Sequence, residues 1–287
     1  MLILEAAESG MCFGVRDALR ALDAIQDPRS VTIHGELVHN REVLADLDRR
    51  GFQRSPERER PVPSTKAVLV TAHGISERER ARLLAAGKTL LDTTCPLVHK
   101  AHTAAQELQR EGRRVIVIGK RDHVEVRGIV EDLTDPIVVA SCADVTAWSE
   151  THLGVLSQTT TPVALATQIT TAIRASNPAA DVRFVDTICS PTKARVLALA
   201  ELLPRIDALV VVGGRESNNT RQLVQTAVEA GVPVLHVERA DELTPEWFAG
   251  RAVVGLTAGT STLPSTIAAV RDRLVAIAPP GPRGEVA

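Results

Sequence analysis

Three cysteines have the residue type and spacing of cluster ligands. Cys12, Cys95 and Cys189 each come just before a helical stretch, and 83 and 94 residues separate them. A helix start stabilises a thiolate through its dipole and its free N–H groups. Cysteines this far apart do not match zinc ribbons, which take their ligands in CxxC pairs. Three thiolates from three segments suit a cubane iron–sulfur cluster with one iron that lacks a protein ligand and can act as a Lewis acid.

Two polar strand ends follow each cysteine at similar distances. The first lies 27 or 28 residues downstream, and the second lies 61, 64 or 72 residues downstream. In chain order the first three are His39, His123 and Ser217, and the second three are His73, Thr159 and Ser261. A cysteine with two polar strand ends, repeated three times, predicts three copies of one α/β unit that share a central site.

The side chains near these strand ends suit an anionic substrate. Histidine, hydroxyl and amide groups, the last from Asn219, can hold phosphate oxygens without a large basic patch. Glu125, two residues after His123, is a candidate proton donor. Thr159 and Thr160 can hydrogen-bond a substrate hydroxyl. Each residue alone would more often be an ordinary solvated or internally paired side chain, so the shared spacing carries the interpretation.

The remaining cysteine and histidines have no counterparts in the repeat. A lone cysteine is usually a small buried hydrophobic residue, and we interpret Cys142 as structural. We interpret five histidines in the same way: His34, His99, His102, His152 and His236.

Composition bounds the class of protein. The 287 residues are 44% hydrophobic and 24% charged, which is ordinary for a globular protein. A formal net charge of −2 gives no field for nucleic acid or an anionic membrane, so we expect neither as a partner. No apolar run is long enough to span a membrane, and the start of the chain lacks a signal peptide's basic region. We expect a cytoplasmic protein, whose cysteines are ligands or nucleophiles rather than disulfides.

The elements that must position these residues alternate between strands and helices, which predicts α/β units with parallel sheets. Four Phe, two Trp and no Tyr leave the core to aliphatic side chains, as in sheets covered by helices. The pattern predicts strands over Met1–Ala6 and Val31–Val38, a charged surface loop over Arg54–Thr65, and a loop after Gly119 that carries His123 and Glu125. The predicted units are residues 1–94, 95–188 and 189–278, before a disordered tail over 279–287.

Nine segments stand out together: "GMCFGV", "GELVHNREVL", "TAHG", "DTTCPLVHKAH", "DHVEV", "SQTT", "DTIC", "VVVGGRESNNT" and "LTAGTS". With these segments the sequence resembles the IspH/LytB family of 4-hydroxy-3-methylbut-2-enyl diphosphate reductases. The resemblance covers about Met1 to Ile277. It implies a trefoil of three pseudo-symmetric α/β domains around a central [4Fe-4S] cluster with one iron lacking a protein ligand.

The resemblance also implies a reaction and roles for residues. Two electrons and two protons remove the allylic hydroxyl of the substrate to give isopentenyl and dimethylallyl diphosphate. By resemblance Cys12, Cys95 and Cys189 ligate the cluster, Glu125 relays protons with help from His123, and Thr159 positions the hydroxyl. The substrate-binding residues implied are His39, His73, His123, Thr160, Ser217, Asn218, Asn219 and Ser261. The implied electron donor is of ferredoxin or flavodoxin type.

The chain departs from the family pattern around the substrate. The family usually has "HPE" at His123-Val124-Glu125, "SSN" at Ser217-Asn218-Asn219 and "SAP" at Ser261-Thr262-Leu263. The segment after the third cysteine, which normally reads like "TNRQ", is Thr192-Lys193-Ala194-Arg195-Val196 here, and the residues that flank Cys12, Met11 and Phe13, are also unusual. No cluster ligand is lost. Three alternatives therefore stay open: a related reductase with another allylic substrate, a zinc-dependent hydrolase, and a non-catalytic ligand-binding protein.

Overall fold

A computed structural model describes residues Met1–Ala278 as an α/β protein. The strands are β1 (Leu2–Glu5), β2 (Val31–Ile33), β3 (Gln53–Arg54), β4 (Ala67–Val70), β5 (Thr89–Asp92), β6 (Arg114–Ile118), β7 (Ile137–Val139), β8 (His152–Ser157), β9 (Asp181–Phe184), β10 (Ala208–Val212), β11 (Val234–Val237) and β12 (Val253–Ala258). The helices are α1 (Phe13–Asp23), α2 (Arg41–Arg50), α3 (Glu77–Ala85), α4 (Pro96–Arg110), α5 (Val124–Val130), α6 (Val163–Ser176), α7 (Ser190–Leu202), α8 (Asn218–Glu229) and α9 (Pro264–Ile277).

The described strands form three four-stranded sheets with one topology. Their orders are β3-β2-β4-β5, β7-β6-β8-β9 and β11-β10-β12-β1, and every pair is parallel. We call them the β2, β6 and β10 sheets. We number the strands of each sheet from 1 to 4 in repeat order, with β1 as the fourth strand of the β10 sheet. Each sheet then has the strand order 2-1-3-4. The predicted class, with three similar α/β parts and parallel sheets, is confirmed.

The first strand corrects the sequence analysis. The strand predicted over Met1–Ala6 was assigned to the first unit, but β1 pairs with β12, with Leu2 opposite Val253 and Glu5 opposite Leu256. The start of the chain therefore supplies the fourth strand of the β10 sheet. A local sequence pattern identifies a strand but not its partner. The other proposed boundaries, near Cys95 and Cys189, stay predictions, and the predicted tail over 279–287 lies outside the described residues.

The described residues group into two compact units. The terminal unit comprises Met1–Cys12, His39–Val43 and the described residues from Ser190 on, and it contains the β10 sheet. The middle unit comprises Phe13–Val38 and Leu44–Cys189, and it contains the β2 and β6 sheets. None of the nine described helices has the length and apolar content needed to cross a bilayer.

Aliphatic side chains fill the core on both faces of the central strands. All five residues of β10 are buried. On one face Val210 packs in a cluster with Leu274 of α9, and on the other face Leu209 packs with Leu199 of α7. Helices on both sides of a parallel sheet require apolar side chains on both faces. This explains why the strand is a continuous aliphatic run.

Two segments near the site differ from their predicted form. The strand predicted over Val31–Val38 ends at Ile33, because Gly35 turns the chain with a φ of 104°. The loop predicted after Gly119 contains α5 instead: His123 caps this helix, and Glu125 lies in its first turn. A seven-residue helix is too short to give a clear periodic signal in sequence.

The terminal unit holds the start of the chain through a buried arginine. Arg195 of α7 is 4% exposed, and its Nε donates to the carbonyl of Gly10 at 3.1 Å. Its Nη2 donates to the same carbonyl, and its Nη1 donates to Pro191 at 2.9 Å. Gly10 lies two residues before Cys12, so this guanidinium fixes the segment that carries the first cysteine.

We therefore expect Arg195→Gln to lower the free energy of unfolding by about 2–4 kcal/mol, because it leaves buried carbonyls without charged donors. Urea unfolding of the metal-free protein measures this loss. Arg251→Gln is the matched control, since Arg251 also donates to a carbonyl, that of Trp247 at 3.0 Å, but it is only partly buried. Equal losses in the two variants would contradict the special role of Arg195.

Candidate active site

The chemistry-bearing residues follow equivalent strands in the three sheets. In each sheet the first, third and fourth strands are neighbours, and the carboxyl ends of parallel strands share one edge. His39, His123 and Ser217 follow the first strands, and His73, Thr159 and Ser261 follow the third strands. Cys12, Cys95 and Cys189 follow the fourth strands. The strand order reverses between the first and third strands, and such switch points are where open α/β sheets bind ligands.

Each cysteine is held by the same backbone hydrogen bond. The N–H of Cys12 donates to Thr260 at 3.0 Å, that of Cys95 to Ala72 at 3.1 Å, and that of Cys189 to Thr159 at 2.9 Å. Every acceptor lies in the loop after the third strand of the same sheet. The three cysteines are therefore anchored alike, and each directly precedes or caps a helix: α1, α4 and α7.

The surroundings of Cys95 leave room for its sulfur but for little else. Gly14, in the first turn of α1, has no side chain, and a Cβ there would lie 2.6 Å from Cys95 Sγ. Cys12, Cys95 and Cys189 are partly exposed, and none of the four cysteines, all within the described residues, is in a disulfide. Cys142 is exposed at the start of a 3-10 turn.

Glu125 is a buried carboxyl group with one hydrogen-bonding neighbour, Thr159. It is 2% exposed. The backbone N–H of Thr159 donates to Oε1 at 2.6 Å, and the Thr159 hydroxyl donates to Oε2 at 2.9 Å. Burial raises the pKa of Glu125 to about 7, although the two hydrogen bonds from Thr159 favour the charged form. The acid can therefore exchange its proton near neutral pH.

Two histidines of the middle unit contact each other, and one of them, His123, lies two residues before Glu125 in the chain. His123 Nδ1 accepts a hydrogen bond from the Glu125 N–H at 3.2 Å and so caps α5. The His73 and His123 rings meet edge to face, with 5.6 Å between their centroids. The middle unit thus brings together a buried acid, a hydroxyl and two imidazoles.

Gln158 is a site neighbour that the sequence analysis did not single out. It is 1% exposed, and its Nε2 donates to the hydroxyl of Thr160 at 3.0 Å. A Cβ on Gly119 would lie 3.0 Å from the Gln158 Cβ, so glycine is needed where the two loops meet. The signal was present, since a glutamine directly after a buried strand must find polar partners.

The terminal unit contains buried polar atoms that lack partners among the described residues. They include Ser261 Oγ and Asn219 Nδ2. Asn219 already uses Oδ1 to accept the Thr260 N–H at 3.0 Å, so its amide donor is left over. Buried polar groups are normally satisfied, and two orphans at predicted binding positions indicate a polar ligand.

The helix start after β10 adds further donors. Ser217 caps α8, with its Oγ accepting the Thr220 N–H at 3.4 Å, and Asn218 is the first residue of the helix. Free N–H groups and the helix dipole favour anions at such a position. A helix start of this kind can hold an anion on a chain with no overall positive charge.

His39 approaches the same helix through its backbone. A Cβ on Gly214 would collide with the His39 carbonyl oxygen, so glycine permits this contact. The next residue, Asn40, donates from Nδ2 to the Ser261 carbonyl at 2.8 Å and caps α2 by accepting the Val43 N–H at 3.2 Å. The link to the Ser261 loop joins residues 221 positions apart, so no local sequence pattern indicates it.

The two units divide the predicted site residues between them. The terminal unit contains Cys12, His39, Ser217, Asn218, Asn219 and Ser261. The middle unit contains Cys95, Cys189, His73, His123, Glu125, Thr159 and Thr160. Within the described part of the chain, no group of three or more His, Cys, Asp or Glu side chains is arranged to hold a metal ion. The roles assigned to these residues stay predictions.

Comparison with known proteins gives consistent matches over nearly the whole chain. The family model described as "LytB protein" matches residues 3–275. A 4-hydroxy-3-methylbut-2-enyl diphosphate reductase of Solidesulfovibrio magneticus is 35% identical over 91% of this chain and 95% of its own length. The enzyme of the same name from Aquifex aeolicus is 32% identical, with 95% of each chain covered.

Two solved structures are also similar. One is described as (E)-4-hydroxy-3-methyl-but-2-enyl diphosphate reductase, the terminal enzyme of the non-mevalonate pathway, with a TM-score of 0.68 and 30% identity over 96% of this chain and all of that one. The other is E-1-hydroxy-2-methyl-but-2-enyl-4-diphosphate reductase from Plasmodium falciparum. Its TM-score is 0.87 at 25% identity, over 97% of this chain and 89% of that one.

The raised pKa of Glu125 predicts a pH dependence of stability. An unfolded glutamate has a pKa of about 4.3, so the folded form binds the proton more tightly. The stabilisation is full below a pH of about 4.3 and is lost as the pH rises toward 7, by roughly 4 kcal/mol in total. Glu125→Gln removes the titrating carboxyl group. The free energy of unfolding of this variant, measured in urea, should therefore fall less between pH 5 and pH 8 than that of the wild type.

Glu107→Gln is the control for that measurement, because Glu107 is an exposed carboxyl on α4. Its stability profile should follow the wild type. Parallel pH profiles for wild type and Glu125→Gln would show that the folded protein does not raise this pKa.

Proposed function

The chain belongs to the LytB protein family, and we propose that it is a 4-hydroxy-3-methylbut-2-enyl diphosphate reductase. The reaction removes the allylic hydroxyl of the substrate with two electrons and two protons, and it yields water with isopentenyl or dimethylallyl diphosphate. The observation that carries the proposal is the equivalent anchoring of Cys12, Cys95 and Cys189 on three sheets of one topology. Three matched thiols correspond to the three protein ligands of a cubane cluster with one open iron, whereas neither a hydrolase nor a simple binding protein requires them.

The cofactor proposed is a [4Fe-4S] cluster held by the three cysteines, with one iron lacking a protein ligand. What supports it is that the three thiols lie at helix starts, and that Gly14, which has no side chain, lets the start of α1 approach Cys95 Sγ closely. When bound, the cluster would supply the electrons and a Lewis-acidic iron. Helix N–H groups and dipoles would stabilise the thiolates.

The diphosphate is assigned to the polar strand ends. The free donor groups of Ser261 Oγ and Asn219 Nδ2 suit phosphate oxygens, and Ser217 and Asn218 add the helix start of α8. His39, His73, His123 and Thr160 complete the proposed substrate-binding set. Imidazoles supply charge where they are protonated, which removes the need for a basic surface.

Glu125 and Thr159 are proposed to deliver the proton to the leaving hydroxyl. With Glu125 charged, the Thr159 hydroxyl donates to Oε2, as observed at 2.9 Å. With Glu125 protonated, Oε2 becomes the donor, and the Thr159 hydroxyl is freed to donate to the substrate oxygen. Oε1 keeps the Thr159 N–H in both states, so the acid stays in place while the proton moves. A pKa of about 7 suits this task near neutral pH.

A related reductase for a different allylic substrate is the second candidate. The observation that favours it is the altered sequence around the substrate, including Asn218 where the family usually has serine and Thr262 where it usually has alanine. Anaerobic turnover of 4-hydroxy-3-methylbut-2-enyl diphosphate with an artificial reductant, followed by product analysis, decides between the two. The ferredoxin- or flavodoxin-type donor is part of the proposal.

The cysteine assignment predicts a pattern of iron loss. Cys12→Ser, Cys95→Ser and Cys189→Ser should each lose most bound iron and sulfide after anaerobic reconstitution, because each removes one of three anchoring thiolates. Cys142→Ser should retain both, since its exposed thiol follows none of the fourth strands. Iron and sulfide analysis with the visible spectrum measures the result. Equal retention in all four variants would rule out the assignment.

The assigned roles also predict two classes of kinetic effect. Glu125→Gln keeps the shape but removes the titratable proton, so kcat should fall by about 10²-fold or more while substrate still binds. His73→Ala should weaken substrate binding instead, because its imidazole is assigned to the diphosphate. Steady-state rates combined with a binding titration separate the classes. Near-wild-type turnover by Glu125→Gln would refute the proton role.

A further inference from the structure

Helix α5 carries the proposed acid but is too short to hold its own position. It has seven residues, and isolated helices of that length are marginal in water. Its place therefore depends on contacts with the rest of the middle unit. One of these is the pair of hydrogen bonds between Glu125 and Thr159, which holds one side of the helix.

Arg127 holds the opposite side of the same helix. Two residues along an α-helix correspond to a rotation of about 200°, so Arg127 points away from Thr159. Its Nη2 donates to the Glu57 carbonyl at 2.7 Å, and its Nη1 donates to the Arg58 carbonyl at 3.1 Å. The planar guanidinium thus spans two successive carbonyls of the loop between β3 and β4, a geometry that lysine cannot reproduce.

That loop is itself fixed at a second point. Glu57 Oε2 accepts the Glu36 N–H at 2.5 Å, and Oε1 accepts from Arg60 Nη2 at 2.7 Å. A Cβ on Gly35 would collide with Glu57 Oε2, so the carboxylate fills the space that this glycine leaves. The Arg127 Nη2 lies 3.7 Å from Glu57 Oε1 and adds an ion pair.

We propose that Arg127 is a positioning residue, which with Glu57 clamps α5 and its Glu125 against the 54–65 loop. The inference rests on the proposed function, in which Glu125 delivers a proton. The loop was interpreted from sequence as charged surface, but its carbonyls and one carboxylate anchor the catalytic helix. Backbone carbonyls do not change rotamer as side chains do, so the clamp fixes the distance between Glu125 and the substrate. It does not act by changing the charge of the site.

The test compares Arg127→Gln, Arg127→Lys and Arg58→Gln, each with a reconstituted cluster. Arg58→Gln is the matched control, because Arg58 is exposed and contributes only its backbone carbonyl to the clamp. Hydrogen exchange of the amides in residues 124–130 reports on the helix directly. Turnover of 4-hydroxy-3-methylbut-2-enyl diphosphate with an artificial reductant reports on kcat and KM.

Both Arg127 variants should exchange the α5 amides about 10-fold faster and lose about 10-fold in kcat, with KM changed less than about twofold. Iron content and the control should match the wild type. Unchanged α5 exchange in Arg127→Gln would overturn the clamp. Full rescue by lysine would also overturn it, because lysine restores the charge without the two-carbonyl geometry.

The two proposals fail separately. If the wild type did not turn over this substrate, the proposed function would be wrong, and the exchange data would still support or overturn the clamp. If the wild type turned over and Arg127→Gln matched it in kcat and in exchange, only the clamp would be wrong.

Discussion

Parallel pairing in the order 2-1-3-4 is the constraint on which the rest of the structure depends. It places the carboxyl ends of three adjacent strands at one edge of each sheet, and there the loop after the third strand accepts the N–H of the following cysteine. Because the bond uses backbone atoms alone, it places no demand on the acceptor's side chain, and the acceptors differ: Thr260, Ala72 and Thr159. The three loops can therefore carry different polar residues, histidine, threonine and serine, while the cysteines keep equivalent positions.

The sequence predicted those elements whose signals are local. The helical stretches predicted directly after Cys12, Cys95 and Cys189 are confirmed as α1, α4 and α7. The edge strands β5 and β9 were missed, because they have four residues each and are exposed along part of their length. The partner of β1 was assigned wrongly, because pairing with β12 joins residues about 250 positions apart and leaves no local trace.

The candidate site likewise has features that the sequence could predict and features that it could not. Residue types and spacing were sufficient to select the cysteines, Glu125 and Thr159 as candidates, since a repeat exposes positions that single residues do not. Sequence could not show that Thr159 bonds both oxygens of Glu125, or that Asn219 and Ser261 keep unsatisfied atoms, because these facts depend on distances between separate loops. The Arg54–Thr65 loop was interpreted as solvated surface for the same reason: its partner on α5 is about 70 residues away.

The buried carboxyl of Glu125 sets two physical effects against each other. Desolvation favours the neutral acid, whereas the N–H and hydroxyl of Thr159 favour the carboxylate. Desolvation alone would hold the proton too tightly to release it near neutral pH, and hydrogen bonds alone would leave the group charged. A pKa of about 7 lies between these limits, so both protonation states are accessible. The role proposed for Glu125, to give up a proton and regain it in every turnover, needs this balance, and the hydrogen bonds from Thr159 supply the stabilisation of the carboxylate that burial cannot.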